Sequence, residues 1–454
     1  MLTRIEIDGF KTFEDFSLDL GPFAVILGPN AAGKSNLFDA LRLLSLLAGN
    51  DLRTSVKGMR GEPQELFRCK ATGMPESSMR FAVELLLEPE VRDPWGETVT
   101  VKHSRARYEV EIERRRDERG IERLVVAREE ARPILSGDDA WHPGGREPSA
   151  AFKRSYMHYA RRTPWLHTDS DKGKPTFRIM QDGRQGRSHS AEAAEATVLS
   201  SITSAEFPHL FAMREEMRSW RFLQLDPSAL RRPSATTAAD ELEPDGANLA
   251  TVLARIQAET VSKVRPRGAL SDIAADLAAM IPGVQDLGVE EDVLNSEYRI
   301  TIGMWDGSFS SRVVSDGTLR VLGLLTLLHD PKHHGLVCFE EPENGVHPLR
   351  LRALLGRLRE LVSDPSATDI SPGEPLSQML MNSHSPVVLS ALDQGEMLFA
   401  DLVSVIDPGQ GLRSRRTRIR LVRGTDQVEL LPDDSAYVTR FTVDHYLSSV
   451  EVAV

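Results

Sequence analysis

The chain has 454 residues, 41% of them hydrophobic and 27% charged, a balance that excludes global disorder and leaves room for two or three domains or one large discontinuous domain. No apolar run reaches the roughly 18–20 residues of a membrane-spanning helix, and the alternating start Leu2-Thr3-Arg4-Ile5-Glu6-Ile7 predicts a strand where a secretory leader would stand. Two cysteines, Cys69 and Cys338, make no disulfide framework, so a cytoplasmic location is expected. The formal net charge of −12 opposes nucleic-acid binding over the whole surface but permits a local basic groove.

The first of three expected regions, residues 1–130, alternates through Ile5–Ile7 and Phe16–Leu20 and then runs continuously apolar over Phe23–Leu27, the pattern of a central strand buried on both faces. Gly28-Pro29-Asn30-Ala31-Ala32-Gly33-Lys34-Ser35 follows and fits G-x-x-x-x-G-K-[ST] ahead of an apolar helix over Asn36–Leu47. Between a strand and a helix this is a phosphate loop: glycines let backbone N–H groups surround phosphate oxygens, and the helix N-terminus adds a favourable dipole. Lys34 would reach the β- and γ-phosphates and the Ser35 hydroxyl would ligate Mg²⁺, with Asn30, Gly33 and Asn36 completing the cradle. Arg80–Glu88, Tyr108–Arg114 and Glu122–Arg128 read as an antiparallel sheet beside this lobe.

In the second region, 131–297, the Gly, Ser, Pro and Arg content from Ala131 to Ser190 predicts loops or an irregular insertion. Ala191–Trp220 reads as helical, Arg221–Leu225 as a strand, and Gly246–Glu259 and Leu270–Met280 as amphipathic helices.

The third region, 298–454, holds a second buried strand, Gly335–Phe339, that runs into Glu340-Glu341-Pro342-Glu343. Adjacent carboxylates at a strand end suit separate jobs, Glu340 in the metal shell and Glu341 as general base, with strand alternation keeping them apart. Upstream, Ser315-Asp316-Gly317 precedes the apolar helix Val321–Leu328; a capping hydroxyl and a close-approaching glycine suit an anion, and taken alone they also suit an ordinary capped helix. Met379–Met381 leads to His384. Arg416, Arg418 and Arg420 alternate with Thr417 and Ile419 and so share one strand face; a charged edge strand and a phosphate-contacting ribbon for DNA are both open. His329, His333 and His334 lack the partners of a metal site.

Together GPNAAGKS, SDGTLR, FEEPENGVHP and NSHSP resemble the Walker A, signature, Walker B and switch-histidine motifs of ABC-type ATPases. With IEIDGFKTFEDFSLDLGPFAVILGPN, WRFLQLDPSALRRPS and LEPDGANLATVLARI, the chain resembles the AAA-family ATPases of the SMC/RecF/Rad50-like group, related to the OLD nucleases but without their Toprim domain. The resemblance implies an α/β fold, a P-loop head of ABC type with a mixed central sheet flanked by helices, an antiparallel β subdomain and a helical or irregular insertion. It implies ATP and Mg²⁺ as cofactors. It also implies a homodimer: ATP on Gly28–Ser35, Glu340 and Glu341 of one subunit is capped by Ser315, Asp316 and Gly317 of a second, with His384 on the γ-phosphate. The expected function is ATP hydrolysis by a switch or motor in DNA repair or anti-phage defence, acting with a separate effector protein. An ATP-dependent DNA-binding clamp and a low-turnover ATP-bound scaffold are the alternatives, and no membrane partner is expected.

Gln64 is the candidate for the group's glutamine loop, and Lys11 and Phe13 are candidates for the nucleotide border. Two departures stand out: the signature reads Ser-Asp-Gly-Thr where transporters have Ser-Gly-Gly-Gln, and Glu340 stands where the group has aspartate. After His384, Asp401, Asp407, Asp426, Asp433 and Asp434 are scattered and make no Toprim set of a glutamate plus Asp-x-Asp, so no built-in nuclease is expected.

Overall fold

The computed structural model describes residues 1–451 apart from 71, 117–118, 172, 182–183, 372, 394, 407–412 and 424–436. Asp407, Asp426, Asp433 and Asp434 lie outside the described residues. Two compact units form, both discontinuous: the first takes Met1–Trp220, Ser363–Gln378 and Asp393–Val454, the second Arg221–Val362 and Met379–Leu392. Their boundaries fall neither at 130 nor at 297.

In the first unit eight strands make an antiparallel sheet in the order Arg184–Ser190, Lys174–Gln181, Leu166–Asp171, Glu122–Pro133, Arg105–Arg116, Ser78–Leu86, Leu2–Asp8 and Phe16–Asp19. Alternation appears directly as burial, with Ile5 and Ile7 turned into the core while Glu6 and Asp8 are half-buried. The stretch 131–190 departs from the irregular reading: it supplies the helix Ala150–Tyr156 and the last three strands of this sheet. Its polarity misleads because Arg184–Ser190 ends the sheet and pairs on one side only, so a few inward side chains such as Phe177 and Ile179, both 1% exposed, carry its burial.

Glu129 of this sheet is fully buried and accepts the Val198 N–H at 2.6 Å, the Leu199 N–H at 2.9 Å and the Tyr108 hydroxyl at 2.9 Å. Its carboxyl thereby closes the N-terminus of the short helix Val198–Ser201. Burial pushes it up to about 7, and the three donors work against that rise.

The same unit holds the wholly buried strand Phe23–Leu27, parallel to Met397–Ile406, which is antiparallel to Arg413–Arg423, itself parallel to Tyr437–Thr439. On the side away from Met397–Ile406, Tyr437–Thr439 pairs with Leu421–Arg423, beyond Arg416, Arg418 and Arg420 in the register. Arg416, Arg418 and Arg420 do alternate with the buried Thr417 and Ile419. Asp401, directly opposite Arg418 in the register, binds Arg418 at 3.0 and 2.7 Å and Arg420 at 3.0 Å, so one carboxylate is shared by two of the three arginines on this face.

In the second unit Arg221–Leu223 pairs in parallel with Gly335–Glu340, which neighbours Ser377–Ser383. A four-stranded antiparallel sheet combines Ser234–Ala235, Val284–Asp292, Glu297–Met304 and Gly307–Ser310. The helices Leu249–Thr260 and Leu270–Met280 bury Leu253, Ile256, Ile273 and Leu277, as their amphipathic spacing predicts. Among the described residues no helix is long and apolar enough to cross a membrane.

Candidate functional site

In the first unit the chain leaves the buried strand Phe23–Leu27 and turns through Gly28, Ala31 and Gly33 at φ of 150°, 63° and 93°. Left-handed residues set among ordinary ones aim successive N–H groups into one concavity, the geometry of an anion nest. A Cβ on Gly33 would collide with the Thr417 side chain, so only glycine fits there. Thr417 is buried, and its hydroxyl donates to the Ala32 carbonyl at 3.2 Å and meets the Thr12 hydroxyl at 2.6 Å, which accepts from Asn36 Nδ2 at 2.9 Å. The loop is braced from behind by two threonines that the motif does not contain. The Asn36 amide is part of this brace.

The helix that follows, Lys34–Leu47, has no side-chain cap and no acid in its first turn. A helix N-terminus without an acid in its first turn suits a bound anion. The buried Lys34 points its ammonium at the Gly28 carbonyl (2.6 Å) and the Pro29 carbonyl (2.8 Å), which holds the positive charge over the loop. Asn30 is exposed at the crown of the loop and Ser35 is half-buried.

Lys11 is bound to Asp39 at 2.6 Å, a carboxylate that Arg60 also grips at 3.0 Å, and Phe13 is fully buried with its ring 4.6 Å from that of Phe16. Gln64, in the 3₁₀ turn Pro63–Leu66, lines a cavity of about 660 Å³ with Leu52, Val56, Lys57 and Leu124, to which no residue of the phosphate loop contributes.

In the second unit the strand Gly335–Glu340 is buried until Glu340, which is half-exposed. Glu341 lies beyond the strand with φ of 53°, so a left-handed turn, rather than strand alternation, separates the two carboxylates. A non-glycine residue held in that region costs on the order of 1 kcal/mol or more and persists only where its surroundings impose it. They do: the Glu341 N–H donates to the Asn382 carbonyl at 3.2 Å and to the Asn382 side-chain oxygen at 3.1 Å, and Asn344 Nδ2 donates to Glu341 Oε2 at 2.5 Å. His384, just past the strand Ser377–Ser383, has Nδ1 3.8 Å from Glu341 Oε1 and 3.6 Å from Glu343 Oε1. Glu341 and His384, 43 positions apart in the chain, are therefore neighbours.

Ser315 caps the helix Asp316–Leu328, accepting the Thr318 N–H at 3.3 Å, and Asp316 in its first turn pairs with Arg231. Gly317 packs flush on the Gly345 carbonyl, where any Cβ would collide, and Arg320 reaches the Asn344 carbonyl at 3.5 Å. The signature helix and the turn after Glu341 are thus in contact within one unit. Asn344, Asn382 and Glu343 are the residues that motif reading overlooked; the only signal was their place inside FEEPENG and MNSHS. His329, just past the helix Asp316–Leu328, pairs with Asp276 at 3.0 Å.

Comparison with known proteins decides the family. Residues 23–390 match the family described as "AAA domain, putative AbiEii toxin, Type IV TA system". The chain belongs to this AAA domain family. Within its span lie the Gly28–Ser35 loop, Ser315–Gly317, Glu340, Glu341 and His384. The chain is 36% identical to an OLD nuclease of Thermus scotoductus over 81 residues, 18% of this chain and 14% of that protein's length. It also resembles an SMC head bound to the C-winged helix domain of ScpA, with a TM-score of 0.48, 12% identity, and 92% and 98% of the two chains covered. A Pyrococcus furiosus Smc head with an extended coiled coil, bound to the C-terminal domain of ScpA, gives a TM-score of 0.43 at 11% identity over 92% and 96%.

Nucleotide binding and Mg²⁺ are typical of this AAA ATPase class. Among the described residues no group of three or more His, Cys, Asp or Glu could hold a metal by itself. The two donors expected from the sequence, the Ser35 hydroxyl and the Glu340 carboxylate, are oxygens of the kind Mg²⁺ takes alongside its waters and phosphate oxygens.

Proposed function

We propose that the protein binds ATP on the Gly28–Ser35 loop, hydrolyses it, and closes as a homodimer around the nucleotide. The observation that carries this reading is the braced loop opening onto an uncapped helix N-terminus, with Lys34 held above it. In this reading Lys34 and the loop N–H groups bind the β- and γ-phosphates; Ser35 and Glu340 would hold Mg²⁺, which would supply charge neutralisation at the phosphates. Glu341 takes the proton of the attacking water. His384, beside Glu341, binds the γ-phosphate, and Ser315 with Gly317 caps the nucleotide of a second copy. Hydrolysis then removes the γ-phosphate contacts that favoured the closed dimer, because ATP stabilises that state only by its differential affinity for it. The biological role we infer is a nucleotide-driven switch in DNA repair or anti-phage defence that governs a separate effector protein. The pairing of Arg418 and Arg420 with Asp401 argues against the DNA-ribbon alternative.

Glu341→Gln tests the reading. Expected are a drop in turnover of about 10²–10⁴-fold, the range of a lost general base, retained ATP affinity, and accumulation of an ATP-bound dimer on size-exclusion chromatography. Wild-type protein that binds ATP without measurable turnover would reduce the reading to the scaffold alternative. Wild type that ignores ATP would remove it.

A further inference from the structure

The turn after Glu341 carries a third carboxylate, Glu343, to which the mechanism above gives no task. Its side chain is only 10% exposed. Glu343 Oε1 accepts the Ser383 hydroxyl at 2.7 Å and the His384 N–H at 3.1 Å, and the Ser383 hydroxyl in turn accepts the Ser385 N–H at 3.1 Å. The same oxygen lies 3.6 Å from His384 Nδ1. The second oxygen, Oε2, is buried and has no hydrogen-bond partner among the described residues.

A carboxylate removed from water costs several kcal/mol, and one left half-satisfied recovers only part of that cost. A group kept in that condition calls for an explanation. The His384 side chain is 44% exposed, and it stands at the point where a strand gives way to a turn. Glu343 grips this point three ways, through the Ser383 side chain, the His384 backbone and the charge beside the imidazole. Asn382, on the same strand end, holds the Glu341 N–H. The base-bearing turn and the histidine-bearing turn are therefore cross-tied, 341 to 382 and 343 to 383 and 384.

We propose that Glu343 is the positioning residue for His384, fixing the imidazole against the Glu341 carboxylate with Nδ1 on the acidic side. The other ring nitrogen, Nε2, is then the one presented to a phosphate oxygen. The assignment rests on the roles proposed above for Glu341 and His384. Glu343 itself touches neither nucleotide nor water in this scheme and acts through the histidine.

A double-mutant cycle on ATP turnover, joined to amide hydrogen exchange over 382–385, tests it. Glu343→Ala is expected to lower kcat about 10–100-fold with KM within about two-fold, and the same change in a His384→Ala background to lower kcat by less than about two-fold, since residues that act as a unit are not additive. Exchange at the His384 amide should quicken about ten-fold in Glu343→Ala and less in Glu343→Gln, which keeps an acceptor oxygen. Should Glu343→Ala fail to fold, Ser383→Ala removes the 2.7 Å bond and is expected to give a smaller loss with the same dependence on His384. Additive losses in the double variant, or unaltered exchange at His384, overturn the proposal. If wild-type protein shows no turnover, the exchange measurement still reads the clamp, and the hydrolysis reading is then what has failed.

Discussion

Two helix N-termini of similar length are prepared in opposite ways. Lys34–Leu47 begins at a left-handed glycine, with no side-chain cap and no acid in its first turn. Asp316–Leu328 begins at Ser315, whose hydroxyl takes the Thr318 N–H, and has Asp316 in its first turn. A third, Val198–Ser201, takes a buried carboxylate, Glu129, directly onto its first N–H groups. All have the same backbone dipole. The difference is in what the first turn itself provides: the second and third termini take an oxygen from their own chain onto the first N–H groups, whereas the first has neither a side-chain cap nor a first-turn acid and suits the anion proposed for it. In the proposed dimer the signature helix then contributes a hydroxyl and a flat glycine surface more than a positive field.

Substitutions can break or sharpen this contrast. The largest effect is expected at the open terminus, where Lys34→Ala should weaken ATP binding by about 100-fold, near 3 kcal/mol, in a calorimetric titration with Mg²⁺. Unchanged affinity would put the nucleotide elsewhere. Glu129 offers a test at the terminus served by a carboxylate. Its pKa is raised from 4.5 to about 7, so its contribution to stability is fully present below about pH 4.5 and is lost as pH rises through about 7. Between pH 5 and pH 8 wild type should lose on the order of 3 kcal/mol relative to Glu129→Gln, read as the difference in urea midpoints; parallel pH profiles would contradict the burial argument.

Gly317→Ala forces a methyl group onto the Gly345 carbonyl. It should destabilise by about 1–3 kcal/mol, with a matching fall in melting temperature, and an unaltered melt would mean that the two backbones are not in contact. The smallest effect belongs to the self-capped terminus: Ser315→Ala should cost about 1 kcal/mol of stability and leave the ATP affinity of a single chain unchanged. If affinity falls as far as in Lys34→Ala, the contrast between the two termini is wrong.

What the sequence revealed follows from how local each feature is. The phosphate loop was legible because strand, loop and helix are contiguous from Phe23 to Leu47 and the motif carries its own geometry. The carboxylate pair after Gly335–Phe339 was legible for the same reason. The threonine brace was not, because Thr12 and Thr417 meet across 405 positions and neither belongs to a motif. Nor was the left-handed turn at Glu341, since no glycine marks it and Asn382, which imposes it, lies on another strand. The arginine alternation was read correctly as one face, yet its meaning depended on Asp401 in the neighbouring strand. The strands between 166 and 190 were hidden because sheet-end strands need little apolar alternation.

The brace also has a consequence in time. Ala32 and the Thr417 hydroxyl that supports it are separated by 385 positions. A ribosome adding roughly 5–20 residues per second delivers the threonine on the order of 20–80 s after the loop has emerged. Until then the nascent polypeptide displays its GKS sequence on an unsupported turn. On the proposed reading, the loop therefore gains this support for its nucleotide only once the segment bearing Thr417 has been made and folded against it.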